Sequence, residues 1–293
     1  MTSKETNYTQ GYSKAAVASH ASRTIESDAS FLIPHLRATD HVLDVGCGPG
    51  TITVGFGSIA TKGSVIGIDI SEEVLELAQA TLDRAKTTSP ESKSSGPSSL
   101  AKLAPITFQK ADLLAGLPFP ENTFDVVFNS QLFPHLPTHG MRFKALGEMR
   151  RVLKPGGILA SRDVAELHFY PRRYDLDRLW AAKTAKVYGH GDESAHFPGG
   201  DMPALFRDVG FDAAGGKVKV GAGTTVHAGR EMRDWYVATS LEKLGRGTSF
   251  RGGWHRVGIT DEEIEEVEKA LERWGEDDDA WYVALQAEIL GWK

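Results

Sequence analysis

Asp44 lies at the end of an apolar run, and a glycine follows it at every second position: Gly46, Gly48 and Gly50. Glycine loses more conformational entropy on folding than other residues, so a cluster of glycines indicates a sharp bend or a backbone that approaches a ligand. The dinucleotide-binding pattern G-x-G-x-x-G places its third glycine one position later, and no Gly-Lys-Ser/Thr of a phosphate-binding loop follows. An aspartate this close would repel a pyrophosphate and attract a positive charge. The segment therefore predicts a turn that binds a positively charged ligand.

Two more carboxylates stand at the ends of apolar runs. Asp69 lies near the end of Ser64–Ile70, and Asp112 ends Pro105–Asp112. Near-continuous apolar runs are typical of parallel strands that are buried on both faces. Ligands of such sheets bind beyond the carboxyl ends of the strands. We therefore expect these acids and the glycine turn to lie along one edge of a sheet.

Strands and helices alternate through the first half of the chain, which indicates an α/β fold with a parallel sheet. The helix Met141–Leu153 is expected to end at the Pro and Gly that follow it. The segment Lys86–Ser99 is rich in Ser, Pro and Gly and predicts a mobile surface insertion. The predicted strands are Val42–Val45, Ser64–Ile70, Pro105–Asp112, Phe124–Ser130 and Gly157–Asp163, and further helices are predicted at Ser22–Leu36 and after Ser71.

The pattern becomes looser after Asp163. We predict a strand at Lys217–Val226, a helix at Glu231–Leu244 and a strongly amphipathic helix at Thr260–Glu276. The apolar residues of the closing segment 280–293 favour a last strand.

The bulk properties exclude several classes of protein. The chain has 293 residues, of which 41% are hydrophobic and 25% charged, as is ordinary for a globular protein. A net charge of −6 argues against nucleic acid as the main partner. A single cysteine, Cys47, excludes an internal disulfide, and small-residue packing is its expected role. The sequence shows no signal peptide, no membrane span and no metal-ligand spacing, so we expect a cytoplasmic protein without a metal.

The order of these motifs resembles the class I S-adenosylmethionine-dependent methyltransferases. The segment D-x-G-x-G-x-G after the first strand is similar to their motif I. The other matching elements are Asp69 at the second strand, Ala111-Asp112-Leu113 after the third, "LPFPENTFDVVFNSQLFPHL" around the fourth and "RRVLKPGGILA" before the fifth. The last two resemble the UbiE-type branch, which acts on small molecules.

This resemblance implies a Rossmann-like, seven-stranded, mostly parallel sheet with helices on both faces and a helical cap. It also implies an organisation into N-terminal lid helices at residues 1–37, a cofactor-binding core at 38–165, and a substrate cap with the last strands at 166–293.

The resemblance further implies S-adenosyl-L-methionine as the cofactor. Gly46 and Gly48 would let the backbone approach it, Asp44 would interact with its amino group directly or through water, and Asp69 would accept hydrogen bonds from both ribose hydroxyls. A turn residue without a ligand is the alternative for each. The remaining implied contacts are Ala111, Asp112 and the Leu113 amide with the adenine, Ile70 and Leu113 on the two faces of its ring, Asn129 or Ser130 at the methyl-donor end, Arg23 with the methionine carboxylate, and Tyr8 or Tyr12 as part of a lid.

Methyl transfer is an in-line displacement, and a general base is needed only if the acceptor keeps its proton near neutral pH. His135 follows the fourth strand, where the donor methyl is expected, and is the candidate catalytic base; structural packing is the alternative. His168, His190 and His196 are expected to be ordinary polar residues. The predicted acceptor pocket consists of Tyr12, Phe133, Phe169, Tyr170, Tyr174 and Trp180.

The C-terminal part, from Gly229 through Trp274 to the closing Leu290–Lys293, resembles a helical insertion between the last two strands in a fungal subgroup that includes gliotoxin bis-thiomethyltransferase. This similarity favours S-methylation of a (di)thiol of secondary metabolism. An oxygen, nitrogen or carbon acceptor, and a non-catalytic regulatory protein that binds the cofactor, remain alternatives. The glycine spacing disfavours a nicotinamide-dependent dehydrogenase. We expect a small-molecule acceptor as partner, no nucleic acid, and a monomer or homodimer.

Overall fold

The computed structural model describes residues 23–87, 103–189 and 196–293. Seven strands of this part of the chain form one sheet. They are β1 His41–Val45, β2 Ser64–Asp69, β3 Ile106–Lys110, β4 Phe124–Ser130, β5 Leu153–Tyr170, β6 Val218–Ala228 and β7 Trp281–Trp292. Their spatial order is β3-β2-β1-β4-β5-β7-β6.

The direction of the strands confirms the predicted fold class. Strands β1 to β5 are parallel, whereas β7 runs antiparallel to both of its neighbours, β5 and β6. Because parallel neighbours end at the same edge, the carboxyl ends of β1, β2 and β4 lie side by side. This edge carries the glycine turn and the predicted acids.

Helices cover both faces of the sheet. Phe56 packs in the core on one face, while Leu146 and Met149 pack in the core on the other. The helices are α1 Ile25–Asp28, α2 Thr51–Ile59, α3 Glu72–Thr87, α4 His139–Val152, α5 Lys183–Tyr188, α6 Met202–Asp208, α7 Arg230–Leu244, α8 Ser249–Arg256 and α9 Asp261–Gly275. In the described part of the chain, no helix is long and apolar enough to cross a membrane.

A third core lies in a cap outside the sheet. Helices α7, α8 and α9 lie between β6 and β7, as predicted, and they enclose Trp254 and Trp274, whose exposed fraction is 0%. The Thr260 side chain accepts a hydrogen bond from the Glu263 amide in a capping box, which fixes the start of α9. This cap stands above the ends of β5 and β7.

Two predicted elements differ from the structure. The fifth strand extends to Tyr170 because β7 pairs with β5 from Ile158 to Tyr170. The predicted helix Ser22–Leu36 is wrong: α1 has four residues, and a short 3-10 helix follows at Ile33–His35. Pro34 cannot donate the backbone hydrogen bond that a continuous α-helix needs there, and it disfavours the helical conformation of the residue before it. The predicted insertion Lys86–Ser99 lies outside the described residues from position 88 onward.

Candidate functional site

The glycine turn lies directly against the end of β2. The amides of Gly46 and Cys47 both donate hydrogen bonds to the carbonyl of Ile68, at 2.8 and 2.9 Å. Gly50 has φ +77°, and a Cβ there would lie 2.8 Å from the Phe108 ring, so packing requires this glycine. Gly48 has φ +54°, but a Cβ there would meet nothing within 4 Å. The turn therefore has an open face at Gly48, and this is the space that a ligand needs.

Asp69 stands at the edge of this open face. One of its carboxylate oxygens accepts a hydrogen bond from the Gly48 amide at 3.2 Å, and the other accepts one from the Ser71 amide at 3.0 Å. Burial raises the pKa of this carboxyl. The neighbouring Ile70 side chain is 44% exposed. A hydrogen-bond acceptor beside an exposed apolar side chain suits a ligand with hydroxyl groups and a flat ring.

The Asp44 side chain is buried beneath the turn and is not placed to contact a ligand directly. It is 2% exposed and accepts a hydrogen bond from the Thr53 hydroxyl at 2.6 Å. Burial raises its pKa to about 7. Asp44 thus ties β1 to α2 beneath the turn. The thiol of Cys47 is buried as well, and burial raises its pKa, in accordance with the predicted packing role.

The predicted adenine contacts lie beside Asp69. The Ala111 amide donates to the Asp69 carbonyl at 3.0 Å, which brings the two strand ends together. Asp112 accepts a hydrogen bond from the Leu114 amide at 2.9 Å and remains exposed. Leu113 packs in the core with an exposed fraction of 9%, so Ile70 offers the larger apolar surface to a ring.

The end of β4 differs from the prediction at Asn129. The Asn129 side chain is fully buried, where it accepts a hydrogen bond from the Ser161 hydroxyl at 2.7 Å and donates one to the Met149 sulfur at 3.5 Å. It therefore ties β4 to β5 and to α4, and it does not line an open site. The Ser130 hydroxyl is buried and has no hydrogen-bond partner among the described residues.

A cavity of about 390 Å³ lies beside the sheet edge, between the ends of β4 and β5 and the cap. The segment Gln131–His135 connects it to the glycine turn. Leu132 of this segment lies 3.2 Å from where a Cβ of Gly46 would stand, while Gln131, Pro134 and His135 line the cavity. The turn and the cavity are thus neighbours across a few residues. The cavity residues that bear on its chemistry are Arg23, His135, Trp180, Thr184, His227 and Lys243.

Burial and positive charge act together on His135 and Lys243. Burial, followed by the charges of Arg23 and Lys243, lowers the pKa of His135 to about 4, so its imidazole is neutral at physiological pH. Burial and the charge of Arg23 lower the pKa of Lys243 to about 8. The cavity therefore holds a neutral imidazole beside two cationic groups.

Arg162 forms the floor of the cavity. Its guanidinium is 2% exposed and lies 2.7 Å from a carboxylate oxygen of Asp28 and 3.3 Å from one of Glu288. These contacts join α1 to β5 and β7. Because two carboxylates face it, the charge of Arg162 is offset within the protein.

Four of the aromatic residues predicted for the acceptor pocket pack away from this cavity. Phe133 and Phe169 are 0% and 1% exposed and belong to two separate cores. Tyr170 stacks on Trp281, and the Tyr174 hydroxyl donates a hydrogen bond to Asp277 at 2.8 Å. Of the predicted residues that the structure describes, Trp180 lines the cavity. Tyr8 and Tyr12 lie outside the described residues.

Two of the other histidines contact carboxylates away from the cavity. His168 lies 2.7 Å from Asp177 and His196 lies 2.8 Å from Asp201, in accordance with ordinary polar roles. His190 lies outside the described residues.

Sequence reasoning missed Lys243, Thr184 and His227. A weak signal for Lys243 was present, since Tyr236, Ser240 and Lys243 recur at helical spacing along α7 and line the cavity. No local pattern marks Thr184 or His227.

Comparison with known proteins identifies the family. Residues 43–161 match the family described as "Methyltransferase domain". The fungal protein named "Probable methyltransferase ltbC", from Aspergillus luteorubrus, is 47% identical over 295 residues, which cover 100% of this chain and 99% of that protein. The chain belongs to the class I S-adenosylmethionine-dependent methyltransferases.

More distant relatives of this methyltransferase share the same core. A demethylmenaquinone methyltransferase from Symbiobacterium thermophilum is 29% identical over 218 residues, covering 68% of this chain and 79% of that protein. A crystal structure from Bacillus halodurans C-125 covers 89% of this chain and 95% of its own, with 17% identity and a TM-score of 0.51. That likeness shows the shared fold.

The methyltransferase uses S-adenosyl-L-methionine as its methyl donor, and the residues of the turn fit this compound. A Cβ at Gly48 would meet nothing within 4 Å, so the turn is open at this point, and the Asp69 carboxylate lies beside it as a hydrogen-bond acceptor. Ile70 offers an exposed apolar surface to a ring. The acceptor of the methyl group is a small molecule.

Proposed function

We propose that this enzyme transfers the methyl group to the sulfur of a small-molecule thiol or dithiol of secondary metabolism. The observation that carries the proposal is the state of His135, which lines the cavity beside the glycine turn as a neutral imidazole with a pKa of about 4. An imidazole of this kind is a weak base, and a weak base suits an acceptor that ionises on its own.

The residues of the turn have separate roles toward the donor. Asp69 accepts hydrogen bonds from the ribose hydroxyls, and Gly46 and Gly48 let the backbone approach the amino-acid part. Asp112 and the Leu113 amide bind the adenine edge, and Ala111 lies beside them. The position of Ile70, exposed next to Asp69, supports its contact with the adenine face.

Three predicted donor contacts lie around the methionine end. Asp44, buried beneath the turn, acts on the amino group through the backbone that it braces. Ser130 lies at the end of β4, close to the segment that borders the cavity. Arg23, which lines the cavity near His135, binds the methionine carboxylate.

The acidity of the acceptor decides which chemistry His135 can serve. A free thiol has a pKa of about 8.5, so a useful fraction is thiolate near neutral pH, whereas a phenol has a pKa of about 10. A proton transfer from a phenol to an imidazole with a pKa of about 4 is uphill by roughly six pKa units, or about 8 kcal/mol. The site therefore favours a thiol over a phenol.

The reaction needs little proton chemistry from the protein. The thiol loses its proton to water, and the segment Gln131–His135 and the cap align the thiolate and exclude water from it. When bound, S-adenosylmethionine supplies the methyl group: a bond forms between the thiolate sulfur and the methyl carbon as the carbon–sulfonium bond breaks, and its electron pair stays on the donor sulfur.

A matched pair of acceptors tests this proposal. The enzyme is incubated with methyl-labelled donor and either 2-naphthalenethiol or 2-naphthol, with toluene-3,4-dithiol as the dithiol probe. We expect methylation of the thiols with a kcat/KM at least a hundredfold above that of the naphthol. A naphthol methylated as well as the thiol, or thiols left unmodified, would contradict S-methylation.

The variant His135→Ala tests whether His135 takes part in proton transfer. Because thiolate formation needs no base, we expect the variant to lose less than about tenfold in kcat/KM with 2-naphthalenethiol. A loss of about a hundredfold or more with this thiol, at unchanged affinity for S-adenosylhomocysteine, would contradict a reaction that needs no base.

A further inference from the structure

We propose that the acceptor carries a carboxylate in addition to the sulfur that is methylated, and that Lys243 binds this carboxylate inside the cavity. The inference rests on the proposed function in two respects, namely that the acceptor is a thiol and that the cavity beside the glycine turn receives it. It assigns the cavity a chemical class of ligand: an apolar or aromatic thiol with one negative group.

The first argument is the balance of charge around the cavity. The Arg162 guanidinium faces Asp28 and Glu288, and these two carboxylates offset its charge. Lys243 has no such partner: within residues 23–87, 103–189 and 196–293, no carboxylate lies within ion-pair distance of its ammonium group. The neighbouring Glu242 is exposed on the surface of α7. A bound anion would supply the missing negative charge.

The second argument is an unsatisfied hydroxyl in the same cavity. Thr184, on α5, is 5% exposed, and its hydroxyl oxygen has no hydrogen-bond partner among the described residues. This oxygen belongs to a residue that lines the cavity. A buried hydroxyl without a hydrogen-bond partner is unfavourable, and a carboxylate oxygen could accept the hydrogen bond that this hydroxyl donates. Thr184 and Lys243 are independent signs of an oxygen-rich anion.

The part of the cavity lining that α7 supplies changes in character along the helix. Tyr236, Ser240 and Lys243 lie along one side of α7, so the lining changes from aromatic to charged along the helix. Trp180 and Phe250 extend the aromatic part, with their ring centroids 5.9 Å apart. Such a wall suits a ligand with an apolar body and a charged end.

A competing assignment is that Lys243 binds the carboxylate of the methyl donor. The two assignments predict different effects of one substitution. If Lys243 holds the donor, its loss weakens the binding of S-adenosylhomocysteine; if it holds the acceptor, this binding is unchanged.

The variants Lys243→Met and Lys243→Arg test the proposal against two probes, 4-mercaptophenylacetate and its methyl ester. In the wild-type enzyme we expect kcat/KM to be at least tenfold higher for the carboxylate than for the ester. Lys243→Met is expected to bring this ratio close to one, and Lys243→Arg to preserve most of it. In both variants the affinity for S-adenosylhomocysteine and the melting temperature should remain close to those of the wild type.

Three results would overturn the proposal: a wild-type preference for the ester, a ratio that Lys243→Met leaves unchanged, or a loss of S-adenosylhomocysteine affinity in Lys243→Met. If neither thiol is methylated, the proposed function fails, but the carboxylate site is still tested by binding. Calorimetry of the enzyme saturated with S-adenosylhomocysteine should show 4-(methylthio)phenylacetate binding at least tenfold more tightly than its methyl ester, and Lys243→Met should remove the difference. Equal binding of the two compounds, or no binding of the carboxylate, would overturn the proposal.

Discussion

Two glycines of the same turn, Gly48 and Gly50, have left-handed backbone conformations but different surroundings. A Cβ at Gly48 meets open space, whereas a Cβ at Gly50 meets the Phe108 ring and the Ala78 methyl at 2.8 and 2.9 Å. A side chain at Gly50 would therefore collide with the protein itself, whereas a side chain at Gly48 would take up only the open space in which we propose that the donor binds.

The pair Gly48→Ala and Gly50→Ala tests this division. A non-glycine residue in the left-handed region costs about 1–2 kcal/mol, which both variants incur. Gly50→Ala should lose a further ~1–3 kcal/mol of stability because its methyl group collides with the core. Gly48→Ala should stay folded and bind S-adenosylhomocysteine more weakly. Urea unfolding and calorimetry measure the two effects, and equal stability losses would contradict the assignment.

The second prediction about the donor site concerns Asp69. Replacement by Ala removes the carboxylate that we propose as the acceptor of the ribose hydroxyls, and we expect S-adenosylhomocysteine binding to weaken by about 1–3 kcal/mol. Asp69→Asn keeps the shape and one acceptor oxygen, so its loss should be smaller. Calorimetry gives both dissociation constants, and an unchanged value for Asp69→Ala would rule out the contact.

Asp163, at the end of the parallel part of β5, predicts a pH dependence of stability. Its side chain is fully buried, and burial raises its pKa to about 8 despite a hydrogen bond from the Phe133 amide at 3.3 Å. In the unfolded chain its pKa is about 3.9, so between pH 4 and 8 the unfolded state has lost a proton that the folded state keeps. The contribution of the neutral carboxyl to stability is therefore present below about pH 4 and is lost as the pH rises toward about 8.

The variant Asp163→Asn does not titrate and keeps an oxygen that can accept from Phe133. We expect the free energy of unfolding of the wild type to fall, relative to this variant, as the pH rises from about 4 to about 8. Urea unfolding at a series of pH values measures the difference. Parallel curves would show that the carboxyl is ionised in the folded protein.

At the scale of elements, the sequence predicted the pieces whose pattern is local. The five parallel strands have short apolar runs, the helix at Asp261–Gly275 has helical spacing, and the apolar residues of the closing segment favoured the last strand. The extension of β5 to Tyr170 could not be predicted, because Glu166 and His168 interrupt the apolar run and the pairing partner β7 lies more than a hundred residues later. Long-range pairing therefore decided the length of this strand.

The extended strand also explains why the aromatic residues were misplaced. With β5 continuing to Tyr170, Phe169 enters the cap core, where its ring lies 5.6 Å from Trp274 and 5.0 Å from Tyr282 between centroids. The cap is thus built on the ribbon that β5 and β7 form.

Substitution of Trp254, on α8, tests whether the cap is independent of the donor site. Its side chain is fully buried, and its ring lies 5.7 Å from Trp180 between centroids. Trp254→Ala should destabilise the protein by about 3–5 kcal/mol because a large cavity remains. Since the glycine turn lies on the sheet, the affinity for S-adenosylhomocysteine should be retained below the melting temperature. A parallel loss of that affinity would show that the cap and the donor site fold as one unit.

On the scale of the whole molecule, the sheet and the cap meet at one cavity. The contacts of Arg162 with Asp28 and Glu288 join the N-terminal helix to the last strand at this point. The motif residues of the donor site are close in sequence to strand ends, so they could be predicted. The cavity residues Thr184 and Lys243 come from separate helices, and only the folded chain brings them to the same cavity.

The most direct test of this account is a crystal structure of the enzyme with S-adenosylhomocysteine and a thiol acceptor. We predict that the nucleoside lies on the open face of Gly48, with its ribose hydroxyls within hydrogen-bond distance of Asp69 and its sulfur directed past Gln131–His135 into the cavity. A nucleoside bound away from the glycine turn, or an acceptor bound outside the cavity, would contradict the account.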